Sequence, residues 1–530
     1  MWSQPINPLG FTPLSALAAA VPLVVLLVLM GGLRKSGAVS AAWGLASAFF
    51  LAILVWRMPV KLAGLSAGFG VVFALWPILW IVFTALWLYN LSVETGKFDL
   101  LRRWMAAHAS TDPRLQAILV AFCFGALLEG MAGFGAPVAV AAFLLLGLGF
   151  SPQKAVAVAL IANTAPVAFG SLGTPIVALA GVTGLDQMKL SAMVGRQLPF
   201  LSLLLPVYIA WFVAGRENLK QALPAALVGG GSFALAQFAV SNFWGPYAAD
   251  IAAALTSIAA FVGYLKLRGA PGHPDGAPPA PAAVAKLTFA QSVGAWAPWV
   301  TLAMVMIVWS GFKILELGQI RLQIPGLHNS IFLTLYEKPY GAVYLFQPLS
   351  AGTGALAAIL LTALLFRASP RITGKAAIDT LRQLRKPGLT VCMIVALAYL
   401  YNYSGMAYTL GAALASLGVL FPFFSGFLGW IACFLTGSDT ASNLLFGNLQ
   451  VAAGHEIGVD PVLLAATNSS GAVAGKMISP QNVAVGVTTV ALVGKEGDVV
   501  RSTFWHSIIM AAFLSLLSFA QAYWLKWMIP

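Results

Sequence analysis

Apolar runs long enough to cross a lipid bilayer recur from one end of this 530-residue chain to the other, and that recurrence excludes most folds before any motif is read. A helix needs about 20 residues to cross the hydrocarbon core. Leu14 to Leu33, Gly68 to Tyr89, Phe200 to Ala214, Ile251 to Leu265, Trp296 to Phe312, Thr353 to Phe366 and Thr503 to Leu525 are such runs, or the cores of longer ones. With the less regular segments between them, the chain holds about 12 to 14 hydrophobic elements. Composition agrees: 60% of residues are hydrophobic and 8% charged, against roughly 45 to 50% apolar in soluble domains. The fold expected is an all-α polytopic membrane protein, one helical bundle that fills the chain.

The net charge of +13 points to nucleic acid in a soluble protein, but here the basic residues sit in the gaps between apolar runs. They cluster at Arg34 and Lys35, at Lys97, Arg102 and Arg103, and in Arg367 to Lys386, which holds six Lys or Arg. The positive-inside rule places these loops in the cytoplasm and the uncharged N-terminus outside. No nucleic-acid partner is implied. No basic stretch precedes the first apolar run, so no cleaved signal peptide is expected. Cys123, Cys392 and Cys433 lie inside apolar runs without metal-ligand spacing, so neither a disulfide framework nor a metal site is expected.

Soluble interruptions divide the chain. A Pro/Ala/Gly-rich stretch from Gly269, with a boundary at 291, reads as a flexible linker between an N-terminal membrane half, 1–268, and a C-terminal half, 292–530. Arg367 to Gly388 has the pattern of a short amphipathic helix on the cytoplasmic surface. Lys313 to Gln347 is too polar for a span and is expected at the other face.

Each half carries a related pair of segments, at about 115–185 and 424–490. Aligning NTAPVAFGSLGTPIVA from Asn163 with NSSGAVAGKMISPQNVA from Asn468 pairs Asn163, Gly170 and Pro175 with Asn468, Gly475 and Pro480. Thr164 and Thr174 then face Ser469 and Ser479. Upstream, Cys123 and Phe124 precede Glu129 by the same intervals at which Cys433 and Phe434 precede Asp439. Gly and Pro at membrane depth break helices, and broken backbone is tolerated there only inside protein or beside a wet cavity. Paired, interrupted apolar segments in two halves point to the central site of a secondary transporter. Whether the copies are parallel or inverted is not readable from the alignment.

Glu129 is the only formal charge between Arg114 and Lys154, and Asp439 is as isolated in its own run. A charge at the bilayer centre costs roughly 2.5 to 3.5 kcal/mol on insertion scales. Desolvation disfavours the charged form, so both acids are proton-coupling candidates; the competing reading is a neutral or helix-capping acid that only holds the fold. Asn163, Thr164, Ser171 and Thr174 in one half, and Ser438, Thr440, Ser442, Asn443, Asn468, Ser469, Ser470 and Ser479 in the other, place short polar groups beside broken helix ends. The N-termini of half-helices suit a carboxylate, although such residues also cap or glue helices. Lys476 lies alone between Asp460 and Lys495. It pairs an anionic substrate, neutralises Asp439, or snorkels to the surface. Arg196 in MVGRQLPF is a secondary candidate, since Arg grips carboxylates, but its place before an apolar run fits a boundary anchor. The five histidines, in or beside polar loops, weaken a histidine relay.

Three rival classes fare worse. Gly437 to Asp439 superficially resembles the GxGD of membrane aspartyl proteases but lacks the second Gly, and no HExxH or GxSxG is present. Two unlike halves and acids suited to proton exchange speak against a channel, though only weakly, and a scaffold needs neither the acids nor broken repeats. No enzyme activity is expected.

The long blocks FCFGALLEGMAGFGAPVAV (Phe122 to Val140), NTAPVAFGSLGTPI (Asn163 to Ile176), MVGRQLPF (Met193 to Phe200), GGSFALAQF (Gly230 to Phe238), FLTGSDTASNLLFGNLQ (Phe434 to Gln450), GKMISPQNVAVG (Gly475 to Gly486) and LVGKEGDVVR (Leu492 to Arg501) resemble the bacterial lactate permeases, which also carry glycolate. The resemblance implies a multi-pass carrier of the bacterial cytoplasmic (inner) membrane for proton-coupled uptake of L-lactate, D-lactate and glycolate. It also implies kinship with an ion-transporter superfamily of two repeated halves with re-entrant hairpins, often elevator carriers and homodimers. Several of these use sodium, so a sodium-coupled symporter of another small organic anion is the alternative. No cofactor is expected beyond the co-transported ion. On this reading the substrate carboxylate binds around Asn163, Thr164, Asn468, Ser469 and Ser470 with Lys476 nearby, Ser442 or Asn443 reads the 2-hydroxyl, and Glu129 and Asp439 carry the proton.

Overall fold

The computed structural model describes the chain apart from residues 34, 109–111, 134, 270–286 and 493 and the side chain at 106. Among the described residues, eleven helices are long and apolar enough to span a membrane, and Pro152–Ala162 with Val167–Thr183, bent by 65°, forms a twelfth candidate. Shorter apolar helices occupy Ala136–Gly147, Ala351–Leu365 and Met406–Ala415. The polytopic helical architecture expected from the apolar runs is the one observed. The expected linker lies largely outside the described residues; its final positions, from Phe289, belong to the helix Phe289–Gly311, which Thr288 and Gln291 open with a reciprocal capping box.

Two faces are defined by contacts. On one, Lys375 Nζ pairs with Glu94 at 2.8 Å, Lys97 lies over the Phe366 ring, and Asn90 Nδ2 donates to Thr380 Oγ1 at 2.8 Å. These contacts gather the basic segments, so this face is cytoplasmic. The helical run Val60–Glu94 crosses to the other face, where Lys61 and Leu65 pack on Gly326. Here Lys313 to Gln347 forms a cap that includes two small sheets. Trp2–Ser3 runs parallel to Ile331–Leu333, and Ile320–Gln323 runs antiparallel to Val343–Phe346. The N-terminus and this polar region therefore share the outer face.

One expectation is corrected. Arg367 to Gly388 holds no separate surface helix: Pro370–Ser404 is one 35-residue helix, capped by Ser369, whose basic first half continues into a span. Ala376, Thr380, Leu384 and Gly388 are buried at every fourth position without interruption, so packing carries the helix through Pro387.

The site is positioned by four interrupted elements. Pro113–Met131 enters the bundle, reverses through Gly133 and Gly135, which have positive φ of 57° and 84°, and Ala136–Gly147 folds back beside it. Phe421–Thr436 and Asp439–Ile457 form a second hairpin that turns at Gly437, φ 69°. Ser442 Oγ donates to the Gly429 carbonyl at 3.2 Å and Ser425 Oγ to Gln450 Oε1 at 2.9 Å, which fixes the two arms as antiparallel. After each hairpin comes a broken span: Pro152–Ala162 and Gly170–Thr183 flank one break, Pro461–Lys476 and Pro480–Thr489 the other. Gly429, Gly471 and Gly475 let Phe421–Thr436 and Pro461–Lys476 approach until backbone meets backbone; no Cβ fits there. Small residues at such a crossing supply the close packing that lipid does not drive by hydrophobicity.

Candidate functional site

The hairpin turns and the breaks meet. Ser171 Oγ donates to the Ala132 carbonyl at 3.1 Å, and Asn482 Nδ2 donates to the Gly437 carbonyl at 3.0 Å, so each hairpin turn is tied to the break that follows it. The halves are joined by Asn443 Nδ2, which donates to the Pro175 carbonyl at 3.1 Å. Ser171, Leu172 and Gly173 are consecutive left-handed residues, φ 45°, 55° and 71°. Such conformations cost about 1 to 3 kcal/mol at a non-glycine residue and persist only where surroundings over-determine them. Here the Ser171 bond and the Pro246 backbone, packed on Gly173, do so.

Between these elements lies a cavity of about 60 Å³ whose wall includes Glu129, Ser171, Thr174, Ser438, Asp439, Thr440 and Lys476. Lys476 is 6% exposed and its Nζ lies 2.6 Å from Glu129 Oε1. Two of the three sequence alternatives for Lys476 are thereby corrected: it neither snorkels nor pairs with Asp439. It closes the Pro461–Lys476 helix, and burial of that helix on every side leaves the ammonium only an inward path, where Glu129 waits. Asn163 Nδ2 donates to the other Glu129 oxygen at 2.9 Å, and Gly170 leaves the room the carboxylate needs, since a Cβ there would stand 2.7 Å from Oε1.

Asp439 is buried under different conditions. Asn468 Nδ2 donates to Asn443 Oδ1 at 3.0 Å, Asn443 Nδ2 to Ser469 Oγ at 3.1 Å, and Ser469 Oγ to Asp439 Oδ2 at 2.9 Å. This chain of amides and hydroxyls ends on one carboxylate oxygen, while Oδ1 has no hydrogen-bond partner among the described residues.

The sequence candidates sort into two shells. Glu129, Asp439 and Lys476 line the cavity, as do Ser171, Thr174, Ser438 and Thr440. Asn163, Asn443, Asn468 and Ser469 hold the acids or the hairpin from behind, and Ser442 is bonded to Gly429. Thr164 and Ser470 are buried, their hydroxyls without a hydrogen-bond partner among the described residues, and Ser479 caps the helix after the second break. Arg196 lies elsewhere, with Nε on Asn242 and Nη1 on the Met528 carbonyl, an anchor for the chain end. Sequence reasoning passed over Asp250. It is 1% exposed and packs on Gly130, the residue after Glu129. Its place just before the run Ile251 to Leu265 makes it resemble an acid at the end of a span.

A second cavity of about 650 Å³ shares Thr174, Gly437, Ser438 and Thr440 with the small one and extends to Lys35 and Lys386. Both lysines are exposed on the basic face, so the small cavity is reached from the cytoplasmic side.

Comparison with known proteins covers nearly the whole chain. Residues 15–525 match the L-lactate permease family. The chain is 42% identical to the glycolate permease GlcA of Escherichia coli K12, over 98% of each protein, and 42% identical to the L-lactate permease of Bacillus subtilis 168, over 100% of each. Among solved structures it is similar to the YdaH transporter of Alcanivorax borkumensis, at 15% identity, 89% coverage of both chains and a TM-score of 0.47. With candidate spans from end to end and full-length bacterial permeases as relatives, the chain is a multi-pass protein of the bacterial inner membrane and belongs to the L-lactate permease family.

Proposed function

We propose that this protein carries L-lactate and related 2-hydroxy monocarboxylates, D-lactate and glycolate, into the cell in symport with a proton. The relatives are named lactate and glycolate permeases. A cavity of about 60 Å³ suits a molecule on the order of four to six non-hydrogen atoms, if each water-sized group takes roughly 10 to 15 Å³ of such space. The observation that carries the reading is the buried Lys476 on the cavity wall, paired with Glu129.

The mechanism follows from charge balance. A substrate carboxylate entering the cavity competes with Glu129 for one ammonium. Two carboxylates facing one cation leave a net negative charge in a poorly solvated site, which costs several kcal/mol. Protonation of Glu129 removes that charge: its carboxylate takes a proton, the ion pair parts, and Lys476 pairs with the substrate. One anion and one proton then cross together. When the substrate leaves, Glu129 loses the proton and Lys476 returns to it. Ser171, Thr174, Ser438 and Thr440 are the wall hydroxyls able to meet the substrate's 2-hydroxyl.

We read the two hairpins with their broken spans as inverted repeats of the halves 1–268 and 292–530. The first hairpin follows the cytoplasmic segment around Lys97, whereas the second enters from the side of the outer cap. In support, Ser171 at the first break and Lys476 at the second both stand on the wall of the one cavity.

Labelled L-lactate uptake into proteoliposomes tests the coupling, with a pH gradient and then a sodium gradient imposed at clamped membrane potential. Uphill accumulation on the pH gradient alone is expected, and its loss in Glu129→Gln. Accumulation only with sodium would sink the reading. That outcome would favour the second reading, sodium symport, whose support is the buried oxygens Asn163 Oδ1, Thr164 Oγ1 and Ser470 Oγ, which have no hydrogen-bond partner among the described residues.

A further inference from the structure

We infer that Asp250 is a proton-carrying residue, placed on the outer side of the Glu129–Lys476 pair to take a proton from the external face and yield it to Glu129. The inference rests on the proton-symport reading and adds the residue that supplies the proton.

Position is the first argument. Helix Ala249–Arg268 ends in the exposed Lys266 and Arg268, as the cytoplasmic ends of other spans do, so Asp250 in its first turn faces outward. The helix runs antiparallel to the entering arm of the first hairpin: Ser257 meets Cys123, at 3.2 Å between Oγ and Sγ, and Asp250 meets Gly130. Asp250 is thus level with the hairpin turn, deep in the bundle. Above it, residues 244–248 dip inward until Pro246 packs on Gly173 and Tyr247 is buried. Both cavities leave Asp250 out of their walls, and the larger one extends to the opposite, cytoplasmic face. Asp250 is therefore set apart from the route by which these cavities reach the cytoplasmic face.

Its bonding is the second argument. Asp250 Oδ1 accepts from Gln237 Nε2 at 3.2 Å, and Oδ2 has no hydrogen-bond partner among the described residues. Gln237 is itself fixed, its amide donating also to the Ala165 carbonyl and its oxygen accepting from Ser202. Asp250 packs on Gly130, the residue after Glu129, and Lys476 is already paired with Glu129. No salt bridge joins Asp250 to a cation among the described residues, and buried carboxylates in that position are costly. Purely structural use of a carboxyl here is poorly served, because an amide would bond Gln237 equally well without that cost.

The step balances. Asp250 in its acid form gives a proton to the Glu129 carboxylate as the substrate takes Lys476, leaving Asp250 ionised and Glu129 neutral. The external medium then restores the proton to Asp250.

Asp250→Asn in proteoliposomes separates the possibilities. Equilibrium exchange of labelled L-lactate at equal pH needs no net proton movement, whereas accumulation driven by external acid does. The variant is expected to keep exchange within about twofold of wild type and to lose accumulation by about tenfold or more, a split that a residue acting only on folding does not produce. Asp250→Glu, which keeps the carboxyl, is expected to recover part of the accumulation. Equal accumulation in Asp250→Asn and wild type overturns the inference and leaves the symport reading standing. Loss of exchange and accumulation together, with an unchanged melting temperature in detergent, also overturns it. If wild type itself accumulates nothing on the pH gradient, the symport reading fails and this inference falls with it.

Discussion

Glu129 lies near the end of the entering arm of the first hairpin and Asp439 opens the returning arm of the second; both stand on the wall of the same cavity, yet they are held differently. Glu129 meets a lysine contributed by the other half of the chain, 347 residues away, while Asp439 meets a serine from its own half. Two acids thus share one cavity wall, and the one buried lysine on that wall meets only Glu129. A site in which both acids were paired would hold its charges permanently, and one in which neither was would have nothing with which to bind an anion. The asymmetry makes Lys476 the contested group.

The largest expected effect comes from removing that group. Lys476→Met should abolish lactate uptake and lower stability by about 3 to 5 kcal/mol, because it strands a buried carboxylate. Adding Glu129→Gln should recover most of the melting temperature but none of the uptake; uptake intact in the single variant would make the asymmetry meaningless. Glu129→Gln alone should cut pH-driven accumulation by about a hundredfold, the scale of a lost proton-transfer group. Asp439→Asn, which can still accept from Ser469, should slow uptake by only about tenfold and keep its pH dependence. Equal losses in these two variants would erase the distinction drawn here. Ser469→Ala removes one buried hydrogen bond, worth about 0.5 to 1.5 kcal/mol, and should weaken uptake without changing its coupling. Smallest of all, Lys375→Ala breaks an ion pair with Glu94 in open solvent, and uptake should not change.

Much of this site was legible before the structure because isolated charges in apolar sequence are conspicuous. Glu129, Asp439 and Lys476 announce themselves by having no charged neighbours along the chain. What composition does not convey is which acid the lysine meets. The alignment placed Lys476 in the half of Asp439, and the pairing with Glu129 arises only where two breaks cross in space. Polar residue types gave the neighbourhood but not the layer: Asn468 and Ser171 look alike in sequence, yet one bonds a neighbouring helix and the other lines the cavity. Asp250 was hidden for the opposite reason, being an acid at the edge of an apolar run, where acids are ordinary. Arg367 to Gly388 read as a short surface helix because its basic residues do not suit a span, whereas regular burial every fourth residue carries the helix on through Pro387.

The two cavities share one wall but differ in size, about 60 against 650 Å³. For pharmacology this makes the carrier sided. A 2-hydroxy acid bearing a bulky aryl tail would have a headgroup sized for the small cavity beside Lys476 and a tail sized for the wide chamber, which opens toward Lys35 and Lys386, so it would lodge from the cytoplasm. Such a compound would have to enter the cell before it could block entry of the nutrient, and its potency would track its own membrane permeability more than its fit.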